Sequence, residues 1–193
     1  MNESIRDIID ILELSDAVPL HFLPYSKMGG KLSYCTCDPK IQGIYFADLR
    51  ANDLYNVACK GKPYEIEYVI NKYGHYFPSN ESPSYLIYTT WTVLHEYGHW
   101  IDFLGSKMTN EEYNNFLRRG RKEVEAGEND IKSLSEEDPQ KSILAKKYLI
   151  DYYSLPSENI AEKYVALHFK EKYKLVIDRI LKPLAYMDSL IGL

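Results

Sequence analysis

The spacing of apolar residues changes along the chain, from short runs in the first half to helical spacing in the second. Over residues 4–14, isoleucine and leucine recur at helical spacing, and Ser4 is suited to begin a helix. The turn-forming pairs Gly29-Gly30 and Asp38-Pro39 separate three short strand candidates. These candidates are residues 18–23, 32–37 and 43–47. The pattern predicts an N-terminal helix followed by an antiparallel meander.

The period changes in the middle of the chain. Residues 64–70 alternate between polar and apolar and would add a fourth strand. Residues 71–84, which are rich in glycine, proline and asparagine, predict a loop. From 84 to 104 the apolar spacing is helical, and Gly105 is placed to end that helix in a left-handed conformation.

Two capping patterns predict further helices. Thr109 and Glu112 form a capping box, and Ser135 with Asp138 is placed to begin a helix that continues through Ile150. The charged run between them, 118–130, is expected to be a solvated helix end and loop.

The last part of the chain also predicts helices. Pro156 is suited to the first turn of a helix that would end near Tyr173, and a final helix is expected over 175–181. Pro183 is expected to kink or break that final helix. The fold class predicted is therefore α+β, with a small antiparallel or mixed sheet and a helical C-terminal lobe.

Composition excludes several classes of function. The chain has 193 residues, which allows one domain, and its net charge of -5 provides no basic field to attract nucleic acid or an anionic membrane. No apolar stretch approaches the ~18 to 20 residues that span a bilayer, and the N-terminus resembles no signal peptide. We expect a cytoplasmic protein with no nucleic-acid partner and no membrane span, with secretion by another route or as a processed chain left open. The oligomeric state is not specified by these features.

The cysteines indicate neither a disulfide framework nor a structural zinc site. Cys35, Cys37 and Cys59 are three in number and lack paired CxxC spacing. We expect them to be reduced thiols.

Candidate chemistry is concentrated in the pentapeptide His95-Glu96-Tyr97-Gly98-His99, which is an HExxH motif inside a predicted helix. The helical repeat places His95 and His99 on adjacent turns of one face, so that both imidazoles can bind one metal ion. Glu96 projects beside them and can accept a proton from a metal-bound water. Gly98 costs a helix about 1 kcal/mol relative to alanine, which predicts close approach of another backbone at that point.

A catalytic zinc ion generally has three protein ligands, so the motif needs a partner elsewhere. The metzincin pattern would need glycine at position 102 and histidine at position 105, but the chain has Asp102 and Gly105. Glu158 and Glu162 lie four residues apart on one face of a predicted helix. One of the two can bind the metal and the other can orient a ligand histidine through its free ring N–H.

The sequence HEYGHWIDF followed by a helical ExxAE resembles the gluzincin zinc metallopeptidases, and among them the group that includes the anthrax lethal factor catalytic domain and the clostridial Pro-Pro endopeptidases. The motif match covers about fifteen residues. The resemblance implies that His95, His99 and Glu158 bind one zinc ion per chain, that Glu96 is the general base, and that Glu162 orients a ligand without binding the ion itself.

The resemblance also implies a tyrosine that stabilises the oxyanion, seven positions before the ligand glutamate. Asp151 occupies that position here, and Tyr152 and Tyr153 follow it. We expect Tyr152 to be the oxyanion donor, with Tyr153 as the alternative. Asp102 is expected to orient His99 or else to be an exposed helix-end carboxylate. His168 is expected to be a structural or surface residue.

These patterns lead to one functional hypothesis and two rivals. The hypothesis is a zincin-like metalloendopeptidase in which residues 1–193 form a single catalytic domain, with lobes 1–105 and 106–193 on either side of the zinc cleft, and which cleaves a peptide or protein substrate. One rival is a metal-binding regulatory protein whose site lacks useful turnover. The other is a narrow intracellular peptidase that cuts one repressor or partner.

Overall fold

The computed structural model describes residues 3–14, 18–77, 83–135 and 137–191, and of residues 122, 123 and 183–191 it describes the backbone alone. Within these ranges there are eight α-helices: α1 (Ile5–Leu12), α2 (Ala51–Gly61), α3 (Pro63–Tyr73), α4 (Ser84–Gly105), α5 (Asn110–Arg118), α6 (Arg121–Ser133), α7 (Pro139–Tyr153) and α8 (Pro156–Ile191). The three strands are β1 (Leu20–Leu23), β2 (Ser33–Thr36) and β3 (Gly43–Ala47). Short 3-10 turns cover Tyr25–Lys27 and Gly74–Tyr76. The α+β class is confirmed.

The sheet is mixed, and the predicted meander is wrong. Its strand order is β1-β3-β2, with β1 parallel and β2 antiparallel to β3. Pro24 follows β1, and a 3-10 turn comes after it. This turn and the two glycines at positive φ, Gly29 and Gly30, carry the chain across the position of β3, so that β2 pairs with β3 and not with β1. The most apolar strand, with Ile44 and Phe46 about 1% exposed, therefore becomes the central one. This order leaves β2 at the edge of the sheet.

The fourth strand predicted over 64–70 is also wrong, because these residues belong to α3. Pro63 supplies a preset first turn, and Ile66, Val69 and Tyr73 bury one helical face. The predicted loop over 71–84 is replaced by the end of α3 and the 3-10 turn up to residue 76, while its residues 78–82 lie outside the described part of the chain. The helix α2 has no counterpart in the prediction.

The helices α4 and α8 cross at the centre of the molecule. Gly98 lies at the crossing, where a Cβ atom would stand 3.0 Å from the Cα of Ala161 and 3.0 Å from the Cβ of Tyr164. The predicted close approach of a second backbone is therefore confirmed. Gly105 is the last residue of α4 and has no positive φ, so its predicted left-handed conformation is wrong.

Of the two capping signals in the second half, the one at Thr109 is confirmed, and the helix predicted from Ser135 begins three residues later. Thr109 caps α5 through the predicted box with Glu112, and the side chain of Asp138 caps α7. The charged run over 118–130 contains most of α6 instead of a loop.

The helix α8 runs from residue 156 to 191 without the predicted end near Tyr173 or break at Pro183. Val176, Ile177 and Ile180 extend its buried face past Tyr173, which provides packing energy for continuing the helix. Within the described residues, no helix is long and apolar enough to cross a membrane.

Candidate metal centre

The crossing of α4 and α8 brings His95, His99 and Glu158 together. Their exposed fractions are 6%, 4% and 0%, respectively. One ring nitrogen from each histidine and one carboxylate oxygen all lie within 4.8 Å of one another. Among the described residues, these three side chains form the group that could hold a metal ion. We call them the metal group.

The spacing of these atoms suits a tetrahedral ion. The Oε2 atom of Glu158 lies 3.1 Å from Nε2 of His95 and 3.6 Å from Nε2 of His99. Zinc bonds of ~2.0 to 2.2 Å in tetrahedral geometry separate neighbouring ligand atoms by about 3.3 to 3.5 Å. Two imidazoles and a carboxylate are also a zinc donor set, and together they leave a fourth position open. The residues present therefore fit one zinc ion.

Glu162 contacts the other face of a ligand histidine. Its Oε1 atom lies 3.3 Å from Nδ1 of His95 and accepts a hydrogen bond of 2.7 Å from the Trp91 indole. Its Oε2 atom accepts one of 2.7 Å from Lys72. The hydroxyl groups of Tyr68 and Tyr73 each lie 3.2 Å from the same oxygen. Since these partners occupy both oxygens, Glu162 is placed to orient His95 and is not placed to reach the metal position.

The electrostatics of the centre favour a positive charge between the two glutamates. Burial disfavours the charged form of His95, but its hydrogen bonds to Glu158 and Glu162 outweigh burial and raise its pKa to about 10. Burial would raise the pKa of Glu162, but His95 and Lys72 lower it to about 2. Burial likewise opposes ionisation of Glu158, and the two histidines nevertheless hold its pKa well below the usual range. Both carboxylates are therefore ionised in the neutral pH range.

Glu96 lies beside the metal group on the same helix. It is half-buried, and its Oε1 atom accepts a hydrogen bond of 2.7 Å from the Ser33 hydroxyl on β2. It lines a cavity of about 410 Å³ together with His95, His99 and Glu158. Glu96 of the HExxH sequence thus faces the same space as the three candidate ligands.

The two adjacent tyrosines differ in how they are engaged. The Tyr153 hydroxyl lies 3.3 Å from Oε2 of Glu65, whose other oxygen accepts a hydrogen bond of 2.7 Å from Tyr88. Tyr152 lines the cavity, and its hydroxyl has no hydrogen-bond partner among the described residues. Burial and the charge of Glu158 raise the pKa of Tyr152 well above its usual value, so this hydroxyl remains a proton donor. Asp151, at the position where the resemblance implies a tyrosine, is exposed.

Asp102 does not contact the His99 ring. Its Oδ2 atom lies 2.8 Å from the Tyr113 hydroxyl, which is also 2.8 Å from the backbone oxygen of His99. The Nδ1 atom of His99 has no hydrogen-bond partner in the described part of the chain. Because the Asp102 carboxylate contacts Tyr113 of α5, the predicted contact with the His99 ring is absent, and the half-buried carboxylate is not the exposed one of the alternative either.

Arg121 belongs to the centre and was missed by the sequence analysis. Its Nη2 atom lies 2.8 Å from Oε1 of Glu158, and its Nε atom is buried without a partner among the described residues. It is the first residue of α6, within the run that was interpreted as a solvated helix end. No local spacing links Arg121 to a glutamate 37 positions later. Ser33, which contacts Glu96, likewise had no signal in the sequence.

The remaining candidates are not part of the candidate ligand group, although Cys35 lines the same cavity. His168 is half-buried with its ring centroid 4.4 Å from that of Tyr164, as expected for a structural residue. Cys35, Cys37 and Cys59 are free thiols, as predicted. Comparison of the chain with protein-family models, with curated proteins and with solved structures finds no match. The function is therefore argued from the residues and geometry of this site.

Proposed function

We propose that the chain is a zinc-dependent metalloendopeptidase with a zincin-like fold. The observation that carries this proposal is the convergence of His95, His99 and Glu158 on one buried point, with Glu96 of the HExxH motif beside it. A zinc ion held by these three residues would polarise a peptide carbonyl and make its bound water acidic.

Glu96 is the proposed general base. Its Oε1 atom is held by Ser33, which leaves Oε2 to accept a proton from the attacking water. The same carboxyl group then donates that proton to the leaving amine nitrogen. Glu162 keeps the His95 ring in place by accepting from Nδ1, so that Nε2 points toward the metal position.

Tyr152 is the proposed oxyanion donor. Its hydroxyl lines the cavity and is not engaged by another described side chain, whereas the Tyr153 hydroxyl is bound to Glu65. A protonated phenol near the scissile carbonyl can donate a hydrogen bond to the oxygen as negative charge develops there.

The edge strand β2 suits an extended substrate. Residues Ser33–Thr36 line the cavity, and β2 is paired on one side only, with β3. A peptide lying along the other side could form backbone hydrogen bonds and bring its scissile bond to the metal group. Because α4 and β2 come from residues 1–105 and Arg121, Tyr152 and Glu158 from residues 106–193, both lobes of the proposed catalytic domain contribute to the cleft.

The substitution Glu96→Gln tests the proposal. It keeps the shape and the Ser33 contact but removes the proton acceptor, so we expect zinc content near one ion per chain and hydrolysis reduced by ~10² or more. Zinc is measured by atomic emission and hydrolysis on a generic unfolded protein, with and without a strong chelator.

Glu111→Gln, at an exposed site outside the cavity, is the matched control and should hydrolyse like the parent. A parent protein that holds zinc but cleaves nothing would favour the regulatory rival. Comparable activity in Glu96→Gln would show that this glutamate is not the base.

A further inference from the structure

The cleft continues beyond the metal group into a second cavity of about 660 Å³. The two cavities adjoin each other, because they share six lining residues. The shared residues are Gly30, Lys31, Lys62, Glu65, Arg121 and Tyr152. The second cavity is therefore within reach of a peptide bound at the metal group.

The second cavity carries a charge opposite to that of the whole chain. Among the described side chains, its lining includes six cations: Lys31, Lys60, Lys62, Lys132, Lys141 and Arg121. It includes three acidic residues: Glu65, Glu125 and Glu128. Six positive against three negative charges leave three positive, or two when the Glu158 carboxylate that contacts Arg121 is included, whereas the chain as a whole has a net charge of -5. The wall of the second cavity, formed by these lining residues, is a local positive region on an acidic protein.

Two of the three acids are already neutralised. Glu65 pairs with Lys62 at 3.2 Å, and Glu128 pairs with Lys132 at 2.6 Å. Lys31 and Lys60 are exposed, and neither forms an ion pair within the described part of the chain. These two lysines are therefore accessible to a bound ligand.

Arg121 stands where the two cavities meet. One N–H group contacts Glu158, while its buried Nε atom has no partner among the described residues. A guanidinium group has five N–H donors, so Arg121 can hold Glu158 and still donate to a second acceptor. An acceptor entering the second cavity from the metal group would pass this donor first.

We propose that the second cavity is a substrate subsite for an acidic side chain, so that the peptidase prefers peptides with aspartate or glutamate on one side of the scissile bond. The inference rests on the proposed function. A carboxylate in this subsite would meet Lys31, Lys60 and Arg121, and the partly enclosed wall would make the attraction stronger than at an open surface. The apolar residues Val124, Ile131 and Leu149 would contact the side-chain methylene groups.

The test is cleavage of a mixed peptide library by the zinc-loaded protein with mass-spectrometric readout. We expect aspartate or glutamate to be enriched at one position. The best such peptide and its Gln-for-Glu counterpart are then compared, and kcat/KM should differ by about tenfold or more. The difference should shrink as the salt concentration rises, because the wall is partly open.

The variant Lys31→Glu/Lys60→Glu should abolish or invert this preference. Its control is Lys107→Glu/Lys170→Glu, which makes the same charge change at two exposed sites lining neither cavity and should keep the preference. Lys60→Gln provides a milder variant if the double reversal does not fold, and it should reduce the preference.

The outcomes distinguish this inference from the proposed function. Cleavage without acidic enrichment, or equal loss of preference in both double variants, overturns the inference and leaves the peptidase intact. If zinc-loaded protein cleaves no peptide, the proposed function fails, and binding of labelled glutamate and glutamine peptides is measured by fluorescence anisotropy instead. Tighter binding of the glutamate peptide then supports the subsite, and equal or undetectable binding of both overturns it.

Discussion

The crossing of α4 and α8 and the segment α5–α7 build opposite walls of one cleft by different means. In α4, 14 of 22 residues are buried, and the ring of the candidate ligand His95 contacts Glu162, which also accepts a hydrogen bond from Trp91. In α6, Ile131 alone is buried among the described side chains, and the surface is charged. The difference teaches that the metal group is preorganised by packing, whereas the facing wall presents charges that can meet a substrate.

The sharpest way to test the packed wall is to separate its two glutamates. Glu158→Ala removes the third candidate ligand, so we expect loss of zinc retention and of activity together. Glu162→Ala removes the acceptor of the His95 Nδ1–H group and should weaken zinc binding by ~10- to 100-fold while leaving residual activity at saturating metal. Zinc affinity is measured by competition with a chromophoric chelator. If Glu158→Ala binds zinc and Glu162→Ala does not, the two roles are reversed.

The facing wall is tested by its two tyrosines. Tyr152→Phe removes the free hydroxyl and should lower kcat by ~10² to 10³ with little change in zinc content. Tyr153→Phe removes the hydrogen bond to Glu65 and should cost about 1 kcal/mol of unfolding free energy with turnover within a few-fold of the parent. Steady-state kinetics measure kcat, and urea denaturation measures the unfolding free energy. Unchanged kcat in both variants would place the oxyanion donor elsewhere or show that there is none.

Close approach of the two helices is tested at glycine positions. Gly98→Ala places a Cβ atom 3.0 Å from the Cα of Ala161, so α4 and α8 must separate, at a cost of about 1 to 3 kcal/mol in unfolding free energy. Gly105→Ala meets no atom within 4 Å and should be neutral or stabilising by up to about 1 kcal/mol. Chemical denaturation measures the unfolding free energy of each variant, and zinc titration is run in parallel. Equal stability of the two variants would contradict the close approach at Gly98.

The smallest expected effect concerns the exposed capping box of α5. Hydrogen bonds from the Thr109 backbone and hydroxyl lower the pKa of Glu112 below its ordinary value of 4.5. A carboxylate with a depressed folded-state pKa contributes stability above its unfolded pKa and loses that contribution as the pH falls through the folded value. The parent should therefore lose more stability than Glu112→Gln between pH 6 and pH 3. Glu111→Gln is the control, and a parent-like pH profile for Glu112→Gln would contradict the prediction.

Local spacing by itself determined much of the α4 side. The helical repeat places His95 with His99, and Glu158 with Glu162, on one face of their helices. The cost of glycine in a helix indicates the close approach at Gly98. The helix start at Thr109 is predictable for the same reason, because a cap depends on residues only two or three positions apart, whereas the start predicted at Ser135 lies three residues before the observed cap, Asp138.

Tertiary structure alone decided the order of the strands and the partners of the site. Parallel pairing of β1 with β3 depends on how the sheet packs, and the alternation of residues 64–70 gave way to the helix that Pro63 begins. Arg121 reaches Glu158 and Ser33 reaches Glu96 across 37 and 63 positions, respectively. No periodicity in the sequence encodes such separations, because contacts between distant residues form only when the helices and the sheet pack into one core.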